Sequence, residues 1–251
     1  MLELKNIYFT AGEDGKENSI LKGIDLRLES GKFYVITGPN GGGKSTLAKI
    51  IMGIERQTSG EIWFEGQNIS DLSISERAKL GIGYAFQQPP RFKGIKVRKL
   101  LSLSAGGDKT KTRSCSNSLI DVGLCTQDYI NRDVDASLSG GELKRIEIAT
   151  LLNRTLKLAL FDEPEAGIDL WSFARLTETF SKMHRESNGT IVIISHQERI
   201  LELADEIIMI GDGEIVKQGS RDEVLPTILR EGPGCACEFK KGERENYECS
   251  R

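Results

Sequence analysis

Phe33-Tyr-Val-Ile-Thr37 runs directly into Gly38-Pro39-Asn40-Gly41-Gly42-Gly43-Lys44-Ser45-Thr46, and the helical run Thr46 to Ile54 follows. The loop fits G-x-x-x-x-G-K-[ST] between a short apolar strand and a helix, the context this pattern requires. Its glycines let the backbone curl until several N–H groups point inward, and the helix N-terminus adds partial positive charge. The result is a nest for phosphate oxygens. Lys44 is then expected to reach the β- and γ-phosphates of a nucleotide, with the Ser45 hydroxyl as a magnesium ligand.

Outward from this loop, short apolar runs alternate with helical patterns. Phe33 to Thr37, Ile82 to Phe86, Lys157 to Phe161, Thr190 to Ser195 and Glu206 to Ile210 read as buried strands. Apolar residues three or four apart at Leu170, Phe173, Leu176, Phe180 and Met183 give one helix a buriable stripe. Leu143, Ile146, Ala149 and Leu152, three apart, give another. This alternation predicts an α/β fold with a largely parallel sheet covered by helices. Leu2 to Phe9 and Ile20 to Leu28 alternate more weakly and predict antiparallel strands, able to form a separate small sheet. Between about 88 and 154 the strand signal disappears, which predicts a helical subdomain inserted into the α/β body. Residues 1–231 are expected to form one domain, and 232–251 a cysteine-containing tail.

The chain has 251 residues, 38% of them hydrophobic and 28% charged, enough apolar material for a core. Its 34 Lys plus Arg against 37 Asp plus Glu leave a net charge of -3. That argues against a nucleic-acid binder, whose basic excess would be broad. No apolar run approaches the ~20 residues that span a bilayer, so direct membrane insertion is not expected. The N-terminus lacks a signal-peptide core, and a cytoplasmic location is the expectation. The five cysteines, at 115, 125, 235, 237 and 249, are odd in number in a chain too large to need stapling, which favours reduced thiols. Cys235-Ala-Cys237 with Cys249 stays open between a metal or cluster ligand set and free thiols, three of which do not complete a four-ligand site.

Leu158-Ala-Leu-Phe161-Asp162-Glu163 is a hydrophobic strand ending in paired carboxylates. Asp162 can hold magnesium, and Glu163 can polarise an attacking water as general base. In Leu138-Ser139-Gly140-Gly141-Glu142, ahead of a helix, Ser139 and Glu142 fit a capping box and the glycines offer a second anion cradle. With these three motifs in this order, the chain resembles the nucleotide-binding subunits of ABC ATPases over approximately residues 1 to 220. The resemblance implies a P-loop NTPase with an ABC-type ATPase core, an antiparallel β subdomain and an inserted helical subdomain. It makes Tyr84-Ala-Phe-Gln87 the Q-loop, with Gln87 sensing Mg²⁺ or the γ-phosphate. Ala166-Gly-Ile-Asp169 becomes the D-loop, and His196 of Ile194-Ser195-His196 the switch histidine at the γ-phosphate.

The same resemblance implies Mg²⁺-dependent hydrolysis of ATP, with Lys44, Gln87, Glu163 and His196 catalytic and Ser45, Gln87 and Asp162 toward the metal. It also implies an ATP-dependent homodimer paired head to tail. ATP is then buried between Gly38 to Thr46 of one copy and Ser139, Gly140, Gly141 and Glu142 of the other, with the D-loop Asp169 part of the nucleotide-binding set. Closure becomes a power stroke reset by hydrolysis.

Within that family, Ala85-Phe-Gln-Gln-Pro89, Phe161-Asp-Glu-Pro-Glu-Ala-Gly-Ile-Asp169 and His196-Gln-Glu-Arg-Ile-Leu201 are more similar to SufC-like ATPases of SUF iron–sulfur cluster assembly than to importers. Thr10-Ala-Gly-Glu-Asp-Gly, near Ala11, lacks the aromatic that stacks adenine in the wider family. The SufC likeness implies a soluble SufB-like scaffold as partner, gripped by the helical insertion. The alternative partner is a membrane permease docked on the same insertion. Basic residues 91, 93, 96, 98, 99, 109, 111 and 113 face one acid, Asp108. A solvated face and a docking surface for an acidic partner both fit this run, and charge reversal at Lys96 and Arg98 separates them.

Overall fold

The structure, a computed structural model, describes residues 1–13, 16–105 and 115–231. The cysteine tail with Cys235, Cys237 and Cys249, and the basic residues Lys109, Lys111 and Arg113, lie outside the described residues. In chain order the elements begin β1 (Leu2–Glu13), β2 (Lys16–Leu28), β3 (Phe33–Thr37), α1 (Lys44–Met52), β4 (Ser59–Phe64), β5 (Gln67–Asn68), α2 (Ile74–Lys79) and β6 (Ile82–Ala85). Four helices follow, α3 (Val97–Ser104), α4 (Cys115–Asp121), α5 (Thr126–Tyr129) and α6 (Gly140–Leu152). The chain then alternates through β7 (Leu158–Asp162), α7 (Leu170–Glu186), β8 (Thr190–Ile194), α8 (Glu198–Leu201), β9 (Glu206–Gly211), β10 (Glu214–Ser220) and α9 (Arg221–Glu231).

Two sheets form. The larger has the order β10-β9-β3-β8-β7-β6, parallel except for the edge strand β10. Its inner strands are apolar on both sides because both faces are covered, as a parallel sheet requires. Phe33 and Val35 of β3, Phe161 of β7 and Ile193 of β8 turn toward one core, shared with α6 and α7. Tyr34 and Ile36, Leu160, and Ile194 turn toward a second core, closed by α1 and the smaller sheet. Each such Leu, Ile or Phe contributes roughly 1.5–3 kcal/mol by leaving water, so the two cores set the register of every strand.

The smaller sheet, β2-β1-β4-β5, is antiparallel and larger than the two strands anticipated, because β4 and β5 add to the free edge of β1. Helix α1 starts at Lys44 rather than Thr46 because Gly43, at φ 98°, already serves as its cap. It stops at Met52 because Gly53 turns left-handed at φ 80° and its N–H closes on the Ile50 and Lys49 carbonyls. From 88 to 154 the described residues hold α3 to α6 and one isolated bridge, Lys96 to Asp133. Val97, Leu101, Leu119 and Val122 of this helical layer join the same core as Phe33 and Val35, so the layer is tied to the sheet by continuous packing. Among the described residues no helix is long and apolar enough to cross a membrane.

Because β6, β7, β8 and β3 run parallel, their carboxyl ends lie along one edge. Ala85 is paired with Phe161, Asp162 with Ile194, and Ile36 with Ile194. The loops leaving those ends carry residues 38–46, 86–87, 163 and 195–196. Ligand sites of open α/β sheets form at such an edge.

Candidate active site

Gly38, Gly41 and Gly43 hold φ of 130°, 78° and 98°, the left-handed region open to glycine. A Cβ at Gly38 would stand 2.0 Å from the Ile210 carbonyl oxygen, so no side chain fits there. Asn40 and Gly41 are exposed at the tip, while Gly42, Gly43 and Lys44 are buried. The Lys44 ammonium turns back into the loop and donates to the Gly38 and Pro39 carbonyls at 2.8 and 2.9 Å. Burial pulls its pKa below the ordinary lysine value, against the raising effect of the Glu163 and Asp162 carboxylates. Thr46, in the first turn of α1, is half-buried.

Asp162, at the end of β7, is 1% exposed, and both its oxygens are engaged. Oδ1 accepts from the Ser45 hydroxyl at 2.9 Å and Oδ2 from the Tyr84 hydroxyl at 2.9 Å. Burial first, then the Asp162 charge, holds the Tyr84 phenol above its usual pKa, so it stays a donor. Glu163 sits at φ 43°, an uncommon conformation for a side-chain-bearing residue, and its N–H donates to the Ile194 carbonyl. That kink turns its carboxylate to Gln87, whose Nε2 donates to Oε2 at 2.7 Å. His196 Nδ1 lies 3.4 Å from Thr37 Oγ1. Burial and the nearby Lys44 hold the imidazole below its usual pKa, opposed by Glu163, so it is neutral at pH 7. Lys44, Ser45, Gln87, Asp162, Glu163 and His196 thus gather at one edge.

Ser139 to Glu142 form a separate surface. The Ser139 side chain accepts from the Glu142 N–H at 3.3 Å, and Glu142 Oε2 accepts from the Ser139 N–H at 2.7 Å, the capping box expected of them. Ser139 and Gly140 are exposed. A Cβ at Gly141 would stand 2.6 Å from the Gly167 carbonyl oxygen, so this loop packs on the segment before α7. There Asp169 caps α7, accepting from the Trp171 and Ser172 N–H groups at 3.1 and 3.0 Å. Among the described residues no hydrogen bond or ion pair joins 139–142 to 38–46.

Two kinds of residue escaped the sequence. Tyr84 lay inside a quoted motif, but its partner Asp162 is 78 positions away. Lys144 carries no motif at all, yet it is 1% exposed and donates to the carbonyls of Phe86, Gln87 and Asp162. The signal for it was the apolar arc of α6, where Leu143, Ile146, Ile148, Ala149 and Leu151 are all buried and leave little helix surface for water.

The donor set suits a hard cation: the Ser45 hydroxyl and the Asp162 carboxylate are oxygen ligands within 2.9 Å of each other. Among the described residues no group of three or more His, Cys, Asp or Glu is placed to hold a metal, so magnesium would take its remaining ligands from phosphate and water oxygens.

The chain is similar to known proteins. The family profile described as ABC transporter matches residues 21–166. An uncharacterized ABC transporter ATP-binding protein of Methanocaldococcus jannaschii is 38% identical over 242 residues, covering 94% of this chain and 95% of that protein. A probable ATP-dependent transporter, ycf16, of Pyropia yezoensis is 32% identical over 235 residues, 88% of this chain and 91% of its own. Among solved structures, the fold is similar to a dimeric post-hydrolysis state of an ATP-binding cassette bound to ADP and Pi, with TM-score 0.79, 26% identity, and coverage of 88% of this chain and 99% of that one.

Proposed function

The chain belongs to the ABC transporter family of ATP-binding proteins, and from that premise we propose how its residues divide the work and what the work drives. Mg²⁺-dependent hydrolysis of ATP to ADP and phosphate is the activity of this family. The carrying observation is the contact of Ser45 Oγ with Asp162 Oδ1 at 2.9 Å beside that of Gln87 with Glu163 at 2.7 Å. One pair would hold magnesium against the phosphates, and the other would position and deprotonate the attacking water.

On binding, Lys44 exchanges two neutral carbonyls for charged β- and γ-phosphate oxygens, which make stronger, charge-assisted bonds. Gly38, Asn40, Gly41, Gly43 and Thr46 would present main-chain N–H groups and the Thr46 hydroxyl around the same oxygens, while Pro39, which has no N–H, shapes the turn by accepting from the Gly42 N–H at 3.1 Å. Ser45 and Asp162 would hold magnesium, which when bound would supply neutralisation of the charge that grows as the γ-phosphoryl leaves. Gln87 orients the attacking water, and Glu163 accepts its proton as the new P–O bond forms and the bond to ADP breaks. Neutral His196 donates a ring N–H to the γ-phosphate. The uncovered side of the nucleotide is closed by Ser139, Gly140, Gly141 and Glu142 of a second copy, with Asp169 and its D-loop alongside. This completes a head-to-tail homodimer.

The motion drives iron–sulfur cluster assembly on a SufB-like scaffold. Supporting this are the SufC-like segments 85–89, 161–169 and 196–201; of the aromatics near Ala11, Phe9 is packed against the core and Tyr8 is 39% exposed. A second reading, the ATP-binding subunit of a membrane transporter, is favoured by the transporter descriptions that the relatives carry. Native purification separates them: a soluble β-helical partner supports the first, and recovery with a membrane permease overturns it. The catalytic assignment has its own test. Glu163→Gln should lower hydrolysis by about 10²–10⁴-fold, and equal rates would remove Glu163 from the base role.

A further inference from the structure

The last ladder pair between β6 and β7 is Ala85 with Phe161, and beyond it the two strands diverge toward Gln87 and Glu163. Main-chain groups past that point lose their sheet partners and must be satisfied otherwise. Two side chains one turn apart on α6 do this. Lys144 has three donors, and they meet three carbonyls: Phe86, Gln87 at 3.2 Å and Asp162 at 2.8 Å. Glu147 Oε1 accepts from the Phe86 N–H at 3.0 Å. The same residue, Phe86, is therefore held at its N–H by a carboxylate and at its C=O by an ammonium, from one helix face.

We propose that Lys144 and Glu147 form a polar clamp by which α6 fixes the exit of the Gln87 loop against the end of the Asp162 strand, making both of them positioning residues for hydrolysis. Apolar side chains of similar volume would fill this space, but they would leave one N–H and three carbonyls unpaired. Burying the pair is unfavourable in itself: the Lys144 ammonium is pulled below its usual pKa by burial, against Glu147 and Asp162, and burial pushes the Glu147 carboxyl up to about 7. Glu147 Oε2 is buried with no partner. Such a pair is retained for the geometry it imposes rather than for stability. That geometry is the direction in which Gln87 leaves β6 toward Glu163. Because α6 also carries Ser139 to Glu142 at its N-terminus, displacement of that cradle is transmitted to the Gln87 loop through these side chains. The inference depends on the ATPase activity of the family and not on which partner is served.

Three substitutions at Glu147 test it. Gln keeps an acceptor oxygen at the same reach, Asp keeps the charge but falls one methylene short, and Leu fills the space without an acceptor. In Asp and Leu, kcat should fall about 10-fold, the worth of one buried hydrogen bond left unmade at the Phe86 N–H. KM for MgATP and ADP affinity should stay within about twofold, because residues 38–46 are untouched. Hydrogen exchange of the Phe86 amide, read without nucleotide, should quicken about 10-fold in the same two variants. Gln should stay near wild type in all readouts. Wild-type kcat and Phe86 exchange in Asp would overturn the clamp, as would parallel loss of kcat, KM and ADP affinity in all three. Should Leu fail to fold, Asp against Gln decides alone. A wild-type protein that hydrolyses no ATP would instead refute the ATPase itself, with Phe86 exchange still reporting on the clamp.

Discussion

Asp162 has no oxygen to spare: Ser45 occupies one and Tyr84 the other. For the proposed magnesium to be held here, the Ser45 hydroxyl would have to turn its proton away from Asp162, whereas Tyr84 could keep its bond and continue to aim the carboxylate. Partners behind a metal ligand typically change metal affinity or activity 10–100-fold when removed. Tyr84→Phe should therefore raise the Mg²⁺ concentration giving half-maximal hydrolysis by about 10-fold, and lower folding stability by about 1–3 kcal/mol for the unpaired buried oxygen. A magnesium titration of the ATPase rate checks the first part and urea unfolding the second; an unshifted titration would mean that Tyr84 only packs. Lys44, Ser45, Asp162 and Glu163 were legible because their chemistry is written in local spacing. Tyr84 and Lys144 were not, since what they bond is decided by which strands become neighbours.

At the level of elements, the start of α6 serves two ends. Its capping box satisfies helix N–H groups that have no internal partner, and the same exposed Ser139 and Gly140 offer a positive helix end to an anion. Substitution can pull these apart. Ser139→Ala removes the cap and should lower stability by about 1 kcal/mol. Ser139→Asp restores a good cap but places a negative charge where phosphate is proposed to bind, so stability should recover while hydrolysis remains depressed by about 10-fold or more. Urea midpoints and ATPase rates of the two variants give the comparison, and full activity in Ser139→Asp would reduce this loop to a cap. Strands β3, β7 and β8 were readable almost to the residue because burial on both faces makes them continuous apolar runs. β4 escaped because only Ile62 and Phe64 of its six residues are buried, behind Ser, Gly and Glu, and β5 because a two-residue edge strand carries only Gln and Asn. The six-residue α2 buries only Arg77, whose guanidinium bonds the Ile50 and Ile51 carbonyls at the end of α1, a contact no periodicity announces.

Across the whole molecule, the parallel sheet gathers Lys44, Ser45, Gln87, Asp162, Glu163 and His196 at one edge, and α3 to α6 form the helical layer proposed to meet a partner. Arg91, Lys93, Lys96, Arg98 and Lys99 are exposed there, alongside Phe92 and Leu103 at 37% and 58% exposure. Basic charge beside apolar surface suits an acidic protein partner better than solvent alone. Lys96 is a poor probe of this, because its ammonium already donates to the Asn131 carbonyl at 3.0 Å and its backbone bridges to Asp133. Arg98 and Lys99 are the better pair. Reversing both to Glu should weaken binding of the natively purified partner by about 10-fold or more near 0.05 M salt, and by much less near 0.5 M, where the screening length drops to a few ångströms. Hydrolysis by the isolated subunit should not change, since both side chains are exposed on α3 and, among the described residues, no hydrogen bond or ion pair joins them to Lys44, Ser45, Gln87, Asp162, Glu163 or His196. Calorimetric titration at the two salt concentrations measures both effects. If docking is electrostatic, the variant's defect shrinks with salt while wild-type binding weakens toward it; if the face is merely solvated, the two affinities coincide at both.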